Sequence, residues 1–233
     1  MIRASLFVAS MAVGASALAA GLEPHALSTG SEPPAPWHVV GLPLQQEPYT
    51  RFRVVEMGGE RVLRLDADRP CGNLVHSLPG STHWQTLSWR WRVDIPNDHA
   101  NLRLTGGDDT AAEVCVMFEL PMDAVPFLEQ QVLRLARLRS RDLLPTAAVC
   151  YVWDAHFAPS TALGNAFTRR MRMIVLRGRD TPLTTWSSER RDLRADFLER
   201  RDAVGAANHQ RKRFGRCRQH PDTYAVVHRR PGA

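Results

Sequence analysis

The chain lacks the short motifs by which many enzyme classes are recognised in a sequence. It contains no G-x-G-x-x-G, no G-x-x-x-x-G-K-[ST], no H-E-x-x-H and no G-x-S-x-G. Its nine histidines are scattered, and its four cysteines have no spacing typical of zinc ligands. These absences exclude the common signatures of nucleotide-binding, zinc-protease and serine-hydrolase sites, and they predict no metal centre of the motif type.

Positive charge is concentrated at the C-terminus. Residues 200–233 hold nine basic side chains and two acidic ones, whereas the rest of the chain carries 21 basic and 22 acidic residues. A basic footprint for nucleic acid or anionic lipid would therefore have to lie in this tail. Because the body of the protein is nearly neutral, we expect no nucleic-acid partner.

The N-terminus has the three parts of a secretory signal peptide. Arg3 supplies a positive charge, Ala4 to Gly21 contains no charged residue, and Ala17-Leu18-Ala19 is a small-x-small cleavage site. This pattern predicts a signal peptide over residues 1–19 and a periplasmic or secreted protein. An uncleaved anchor is the alternative, but Ala, Ser and Gly insert weakly into bilayers, so we expect no stable membrane span after cleavage. Residues 20–36 are rich in proline and predict a linker.

Strand patterns dominate residues 37–199. Two short apolar runs flank Gly58-Gly59 and predict a hairpin. Residues 87–94 alternate, with Leu87, Trp89, Trp91 and Val93 on one side, and residues 114–120 alternate in the same way. Only one segment has helical periodicity, an amphipathic helix at about residues 122–141, whose apolar positions are expected to cover a sheet: Val125, Leu128, Val132, Leu135 and Leu138. One helix among at least six strands predicts a mainly β, antiparallel β-sandwich.

Cys115 and Cys150 form the favoured disulfide pair among the four cysteines. Each lies in the middle of a strand-like run, and export would place both in an oxidising compartment. Two buried free thiols are an equally open interpretation, because unpaired cysteine is a common core residue.

The polar side of the tryptophan-rich strand is the first candidate site. Arg90, Arg92 and Asp94 project opposite Trp89 and Trp91, and two guanidinium groups there can hold a carboxylate, a phosphate or sugar hydroxyls. The alternative is a solvated strand face with an Arg–Asp pair.

The second candidate is the Gly106-Gly107-Asp108-Asp109 loop, where Asp108 and Asp109 offer oxygen ligands to Ca²⁺. A turn is the alternative, because Asp and Gly favour turns and a calcium site needs more ligands than this loop shows. Trp153, beside Asp154 at a strand end, is a weaker candidate for stacking on a sugar.

The order of several segments resembles the exported bacterial family catalogued as domain of unknown function 3047. The resemblance covers about residues 37–198 and rests on these runs: Val62-Leu63-Arg64-Leu65, Leu87-Ser88-Trp89-Arg90-Trp91-Arg92-Val93-Asp94, Gly107-Asp108-Asp109-Thr110-Ala111-Ala112, Tyr151-Val152-Trp153-Asp154, Arg172-Met173-Ile174-Val175, Trp186, and Glu189-Arg190-Arg191-Asp192-Leu193-Arg194-Ala195-Asp196-Phe197. It implies a jelly-roll sandwich akin to galactose-binding-like carbohydrate modules, and it carries no activity and no site residue.

The chain departs from this family pattern after residue 200. The family continues into a closing strand, whereas this chain turns rich in Arg and His. Residues 200–233 are therefore interpreted as an atypical basic tail, with the hypothesis that they are translated out of frame and that the closing strand is lost.

Three functions remain open from the sequence. The favoured one is a non-catalytic β-sandwich that binds a glycan or another envelope polymer, and no cofactor is expected, with a calcium ion as the alternative. The alternative is a periplasmic enzyme that acts on such a polymer through Asp and Glu side chains. The third is a binder of nucleic acid or anionic lipid through the tail, which the charge distribution and the predicted export both disfavour.

Overall fold

The computed structural model describes residues 29–41, 50–66, 72–76, 86–104, 110–139, 144–166, 168, 170–203 and 223–228. Its strands are β1 (His38–Val40), β2 (Arg51–Met57), β3 (Glu60–Asp66), β4 (Asn73–Val75), β5 (Thr86–Val93), β6 (Ala112–Phe118), β7 (Ala147–Trp153), β8 (Ala162–Gly164), β9 (Met171–Arg177), β10 (Ser187–Asp192) and β11 (Thr223–His228). Its helices are α1 (Phe127–Arg139) and α2 (Leu193–Ala203), and a 3₁₀ turn, Met122–Ala124, precedes α1. The protein is mainly β, as the sequence predicts.

Five strands form the larger sheet, in the order β10-β5-β11-β3-β2, and all its pairs are antiparallel. The predicted hairpin is confirmed as β2 and β3. Its turn residues Gly58 and Gly59 have φ of 61° and 79°, a left-handed conformation that glycine adopts without steric cost. A separate two-stranded sheet pairs β1 with β4.

The second sheet has the order β6-β7-β9-β8, and it adds one parallel pair to the mainly antiparallel arrangement that the sequence predicts. The strands β7 and β9 run parallel, with Tyr151 opposite Ile174. All seven residues of β7 are buried, as expected for a strand that is covered on both faces. The chain reaches this arrangement because β8 follows β7 and pairs with the far edge of β9.

The core lies between the two main sheets. Trp89 and Trp91 of β5 pack against Tyr151 and Trp153 of β7, with ring centroids 5.0 and 5.8 Å apart in the two cross-sheet pairs. The burial of β5 alternates strictly, so the predicted division into an apolar side and a polar side is confirmed. The other face of β7 is covered by a smaller apolar cluster that contains Leu102 and Met173.

A helix is present where the sequence predicts one, but its bounds differ from the predicted ones and a different side of it faces the body of the protein. Pro126 separates the 3₁₀ turn from α1, because proline has no backbone N–H to donate and restricts the residue before it. Helix α1 contacts the body through the fully buried Leu133. The predicted core positions Leu128, Val132, Leu135 and Leu138 are instead exposed, and only Val125, before the helix, is buried.

The helix α2 was not predicted. It begins after Asp192, whose side-chain Oδ1 accepts a hydrogen bond from the Ala195 backbone N–H and so caps the first turn. Its pattern was missed because the segment is short and strongly charged, with three arginines among its 11 residues.

A strand is present in the basic tail. Strand β11 lies between β3 and β5 and pairs with both, with Ala225 opposite Leu63 and Trp91. Strand β11 therefore occupies the place of the closing strand, which the out-of-frame hypothesis expected to be lost. The reading frame after residue 200 stays a prediction that resequencing of the gene tests.

Candidate ligand-binding face

The outer side of the five-stranded sheet carries a cluster of charged side chains, here called the arginine face. Strand pairing places alternate residues of β2, β3 and β5 on the side opposite the buried tryptophans. The arginine face consists of four cations, three acids and one tryptophan: Arg53, Arg64, Arg90, Arg92, Glu60, Asp66, Asp94 and Trp186.

Every arginine of this face has a carboxylate partner. Arg92 binds Asp94 through two hydrogen bonds, Nε to Oδ1 at 2.6 Å and Nη2 to Oδ2 at 3.0 Å. Asp66 accepts from both Arg53 and Arg64, at 2.6 Å each. Partial burial raises the pKa of Asp66, but these two hydrogen bonds outweigh it and hold the pKa below its usual range. The side chains are thus held in place before any ligand arrives.

Arg90 of β5 contacts two other residues of the face. Its Nη2 forms an ion pair with Glu60, and its guanidinium carbon lies 4.8 Å from the centroid of the Trp186 ring. Trp186 in turn packs against the fully buried Val62. The Nε–H of Arg90 is buried and has no hydrogen-bond acceptor in the described part of the chain. The Arg90 side chain as a whole is 25% exposed, so a ligand can contact its exposed part, whereas the buried Nε–H is closed to ligands.

The structure brings three of the six predicted ligand residues together. Arg90, Arg92 and Asp94 share the arginine face, and both guanidinium groups are already ion-paired there. Trp153 is a correction: it is 2% exposed and packs against Trp91, so it belongs to the core and offers no surface to a sugar. Asp108 and Asp109 lie outside the described residues.

The predicted disulfide between Cys115 and Cys150 is present in the structure. The two residues lie opposite each other on the antiparallel strands β6 and β7, with Cα atoms 4.0 Å apart. Glu113 lies close to both sulfur atoms, and among the described residues these three form a group of metal-ligand type. Because both cysteines are oxidised, their sulfurs are not thiolate ligands, and the group offers one carboxylate only.

A buried hydrogen-bonded cluster attaches α2 to the second sheet. The Tyr151 hydroxyl donates to Asp196 Oδ2 at 2.7 Å, and Arg191 donates to both oxygens of the same carboxylate, at 3.0 and 2.5 Å. Burial and the contact with Asp196 raise the pKa of Tyr151 strongly. A tyrosine whose pKa is raised is a poor general base, so this cluster serves the fold.

Other buried carboxylates also have structural partners. Glu189 Oε1 accepts from Trp91 Nε1 at 3.0 Å and from Arg177 Nε at 2.6 Å, across the core. Asp154, 1% exposed, accepts the backbone N–H groups of His156 and Phe157 with Oδ1, while its Oδ2 has no partner among the described residues. Asp154 therefore shapes the turn after β7.

Sequence reasoning missed five of the eight residues of the arginine face. Alternation within the predicted hairpin is a signal that could have placed Arg53, Arg64 and Asp66 on one side. The same alternation would have placed Glu60 on that side, whereas Trp186 had no such signal, because its contact with Arg90 joins residues that are distant in the sequence.

The fold and this face define a two-sheet β protein with a charged outer sheet surface. Residues 35–210 match the family described as "Protein of unknown function (DUF3047)", and the chain belongs to that family. The match continues past residue 200, where the sequence analysis placed the departure from the family pattern. Searches among curated proteins and among solved structures find no significant match. Within the described residues, neither helix has the length and apolar character needed to cross a bilayer.

Proposed function

We propose that the protein is an exported, non-catalytic binding protein that holds a polar polymer, a glycan or another envelope component, on the arginine face. The observation that carries the proposal is the placement of Arg90, which lies over the Trp186 ring, is ion-paired with Glu60 and keeps 25% of its side chain exposed. A ligand oxygen would accept a hydrogen bond from the exposed part of that guanidinium.

The composition of the face supports a polyhydroxylated ligand. The arginines supply hydrogen-bond donors in fixed planes, and the neighbouring carboxylates of Asp66 and Asp94 supply acceptors. A ligand hydroxyl can therefore accept a hydrogen bond from an arginine and donate one to a carboxylate. The ion pairs hold the side chains in place, which reduces the conformational entropy lost on binding. Trp186 adds an aromatic surface of the kind that sugar rings contact.

The fold type and the compartment belong to this proposal. Two packed sheets support a sandwich of the jelly-roll or galactose-binding-like type that the family resemblance implies. The N-terminal pattern of Arg3, an uncharged stretch and a small-x-small site supports export to the periplasm or the medium. A calcium ion at Asp108 and Asp109 remains a proposal that the experiment below includes.

Thermal unfolding with candidate ligands tests the proposal. The protein is melted alone and with neutral sugars, murein fragments, anionic polysaccharides and Ca²⁺. A ligand present at about 100 times its dissociation constant stabilises the folded state by about 2.7 kcal/mol, which raises the midpoint by about 5 to 10 °C for a domain of this size. Arg90→Ala and Arg92→Ala are expected to abolish that shift, and Arg194→Ala, an exposed arginine of α2, is the matched control.

The outcomes separate binding from catalysis. A shift that both face variants lose and the control keeps supports the proposal, provided that the recovered ligand is chemically unchanged. Recovery of a shorter or modified polymer would instead establish the enzymatic alternative. A cooperative melt without any shift across the panel would contradict binding of these ligand classes.

A further inference from the structure

Helix α1 exposes an apolar stripe that nothing in the described structure covers. Its side chains are half or more exposed, at 70%, 74%, 65%, 50% and 84% in chain order: Phe127, Leu128, Val132, Leu135 and Leu138. Spacings of three and four residues place them along one side of the helix. Five large apolar side chains exposed on one side of a helix, with only Gln131 among them, are typical of an interaction surface rather than of a freely solvated helix.

The helix is held so that this stripe faces away from the body. Leu133, on the opposite side, is fully buried. Arg137 donates to Glu119 at 2.9 Å and to the Leu144 carbonyl oxygen, and Glu129 lies 3.5 Å from Arg170. Because these contacts attach the polar and buried side of α1 to the protein, rotation of the helix to bury the stripe would break them.

The charge beside the stripe is positive. Arg134 is exposed and stands one helical turn before Leu138. The one acid within α1, Glu129, is on the buried side next to Arg170, so among the described residues of the helix no carboxylate borders the stripe. A cation at the edge of an apolar stripe is the pattern of helices that lie in the surface of an anionic bilayer.

From these features we infer that α1 docks the protein onto an anionic lipid surface, with the stripe in the headgroup region and Arg134 at the lipid phosphates. A bilayer accepts the convex face of a single helix without a matching groove. A second copy fits less well, because an antiparallel pair centred near Leu133 would bring the two Arg134 side chains together without an acid to neutralise them. The site is independent of the arginine face and of the basic tail.

Vesicle co-sedimentation tests the inference. The protein is expressed with its own N-terminus and purified in the form that the cell accumulates. It is mixed with vesicles of phosphatidylcholine alone or of phosphatidylcholine and phosphatidylglycerol in equal parts. The double variant Leu128→Gln and Leu138→Gln replaces the two most exposed residues of the stripe, so it is expected to fold normally. Leu104→Gln, an exposed leucine in a loop, is the matched control.

We expect the wild type and the control to bind the anionic vesicles, and the double variant to need at least tenfold more lipid for half-maximal binding. Arg134→Gln should weaken binding several-fold, and only to the anionic vesicles. Equal binding by the double variant and the wild type would overturn the inference. So would absence of binding to anionic vesicles, or a concentration-dependent dimer in solution that the double variant abolishes.

Discussion

Replacing both Cys115 and Cys150 with alanine removes the cross-strand bond between β6 and β7. The two residues are 35 positions apart in the sequence, and the chain-entropy relation assigns a loop of that length about 4 kcal/mol of stabilisation. For a domain of this size, that difference corresponds to a fall in the melting midpoint of about 8 to 16 °C. Alanine is the appropriate replacement because Cys150 is fully buried, where a serine hydroxyl would add its own desolvation cost.

The assay compares the oxidised wild type, the wild type with a thiol reductant, and the double alanine variant, all by calorimetry. We expect the reductant to lower the midpoint of the wild type toward that of the variant. If the reductant also changes the melting midpoint of the variant, that change measures the contribution of the cysteines that remain in it. A variant within about 1 kcal/mol of the oxidised wild type would refute the argument, because the unfolded chain would then gain little entropy from the missing bond.

Two further predictions concern packing and pH. Tyr151→Phe should cost about 1 kcal/mol near neutral pH by removing the hydrogen bond to Asp196. Because the pKa of Tyr151 is raised in the folded state, Tyr151 contributes fully to the free energy of unfolding below about pH 10, and above that pH its contribution falls by roughly 1.4 kcal/mol per pH unit. Denaturant titrations should show this slope in the wild type. Finding the same slope in the variant would contradict the assignment to Tyr151. Leu133→Ala should cost about 2 to 4 kcal/mol, whereas Leu128→Ala should stay within about 0.5 kcal/mol. A larger loss for Leu128→Ala than for Leu133→Ala would mean that α1 packs through its other side.

The strand predictions succeeded where one local pattern was sufficient. Residues of β5 alternate between apolar and polar, and a pleated strand turns that alternation directly into a buried side and an outer side. The hairpin followed from Gly58-Gly59, since few other residues adopt the backbone conformation of that turn. Both features depend on residues within one turn or one strand of each other.

The helix shows where local pattern was insufficient. Leu128, Val132, Leu135 and Leu138 have the periodicity of a buried side, and the sequence analysis placed them against a sheet. The structure buries Leu133 instead. Periodicity determines which residues share a helix face, but the contacts of Arg137 and Glu129 with the body decide which face is covered.

The sequence by itself determined the β class and the polar side of β5, because alternation and strand position are local properties; it favoured Cys115 and Cys150 as a pair, and the structure decided that they are bonded. The sequence also determined the family to which the chain belongs. Only the tertiary structure decided that β7 and β9 run parallel, that Trp153 is a core residue and that Arg90 lies between Glu60 and Trp186. These features join segments that are far apart in the chain, and the packing energy that selects them is absent until the two sheets meet.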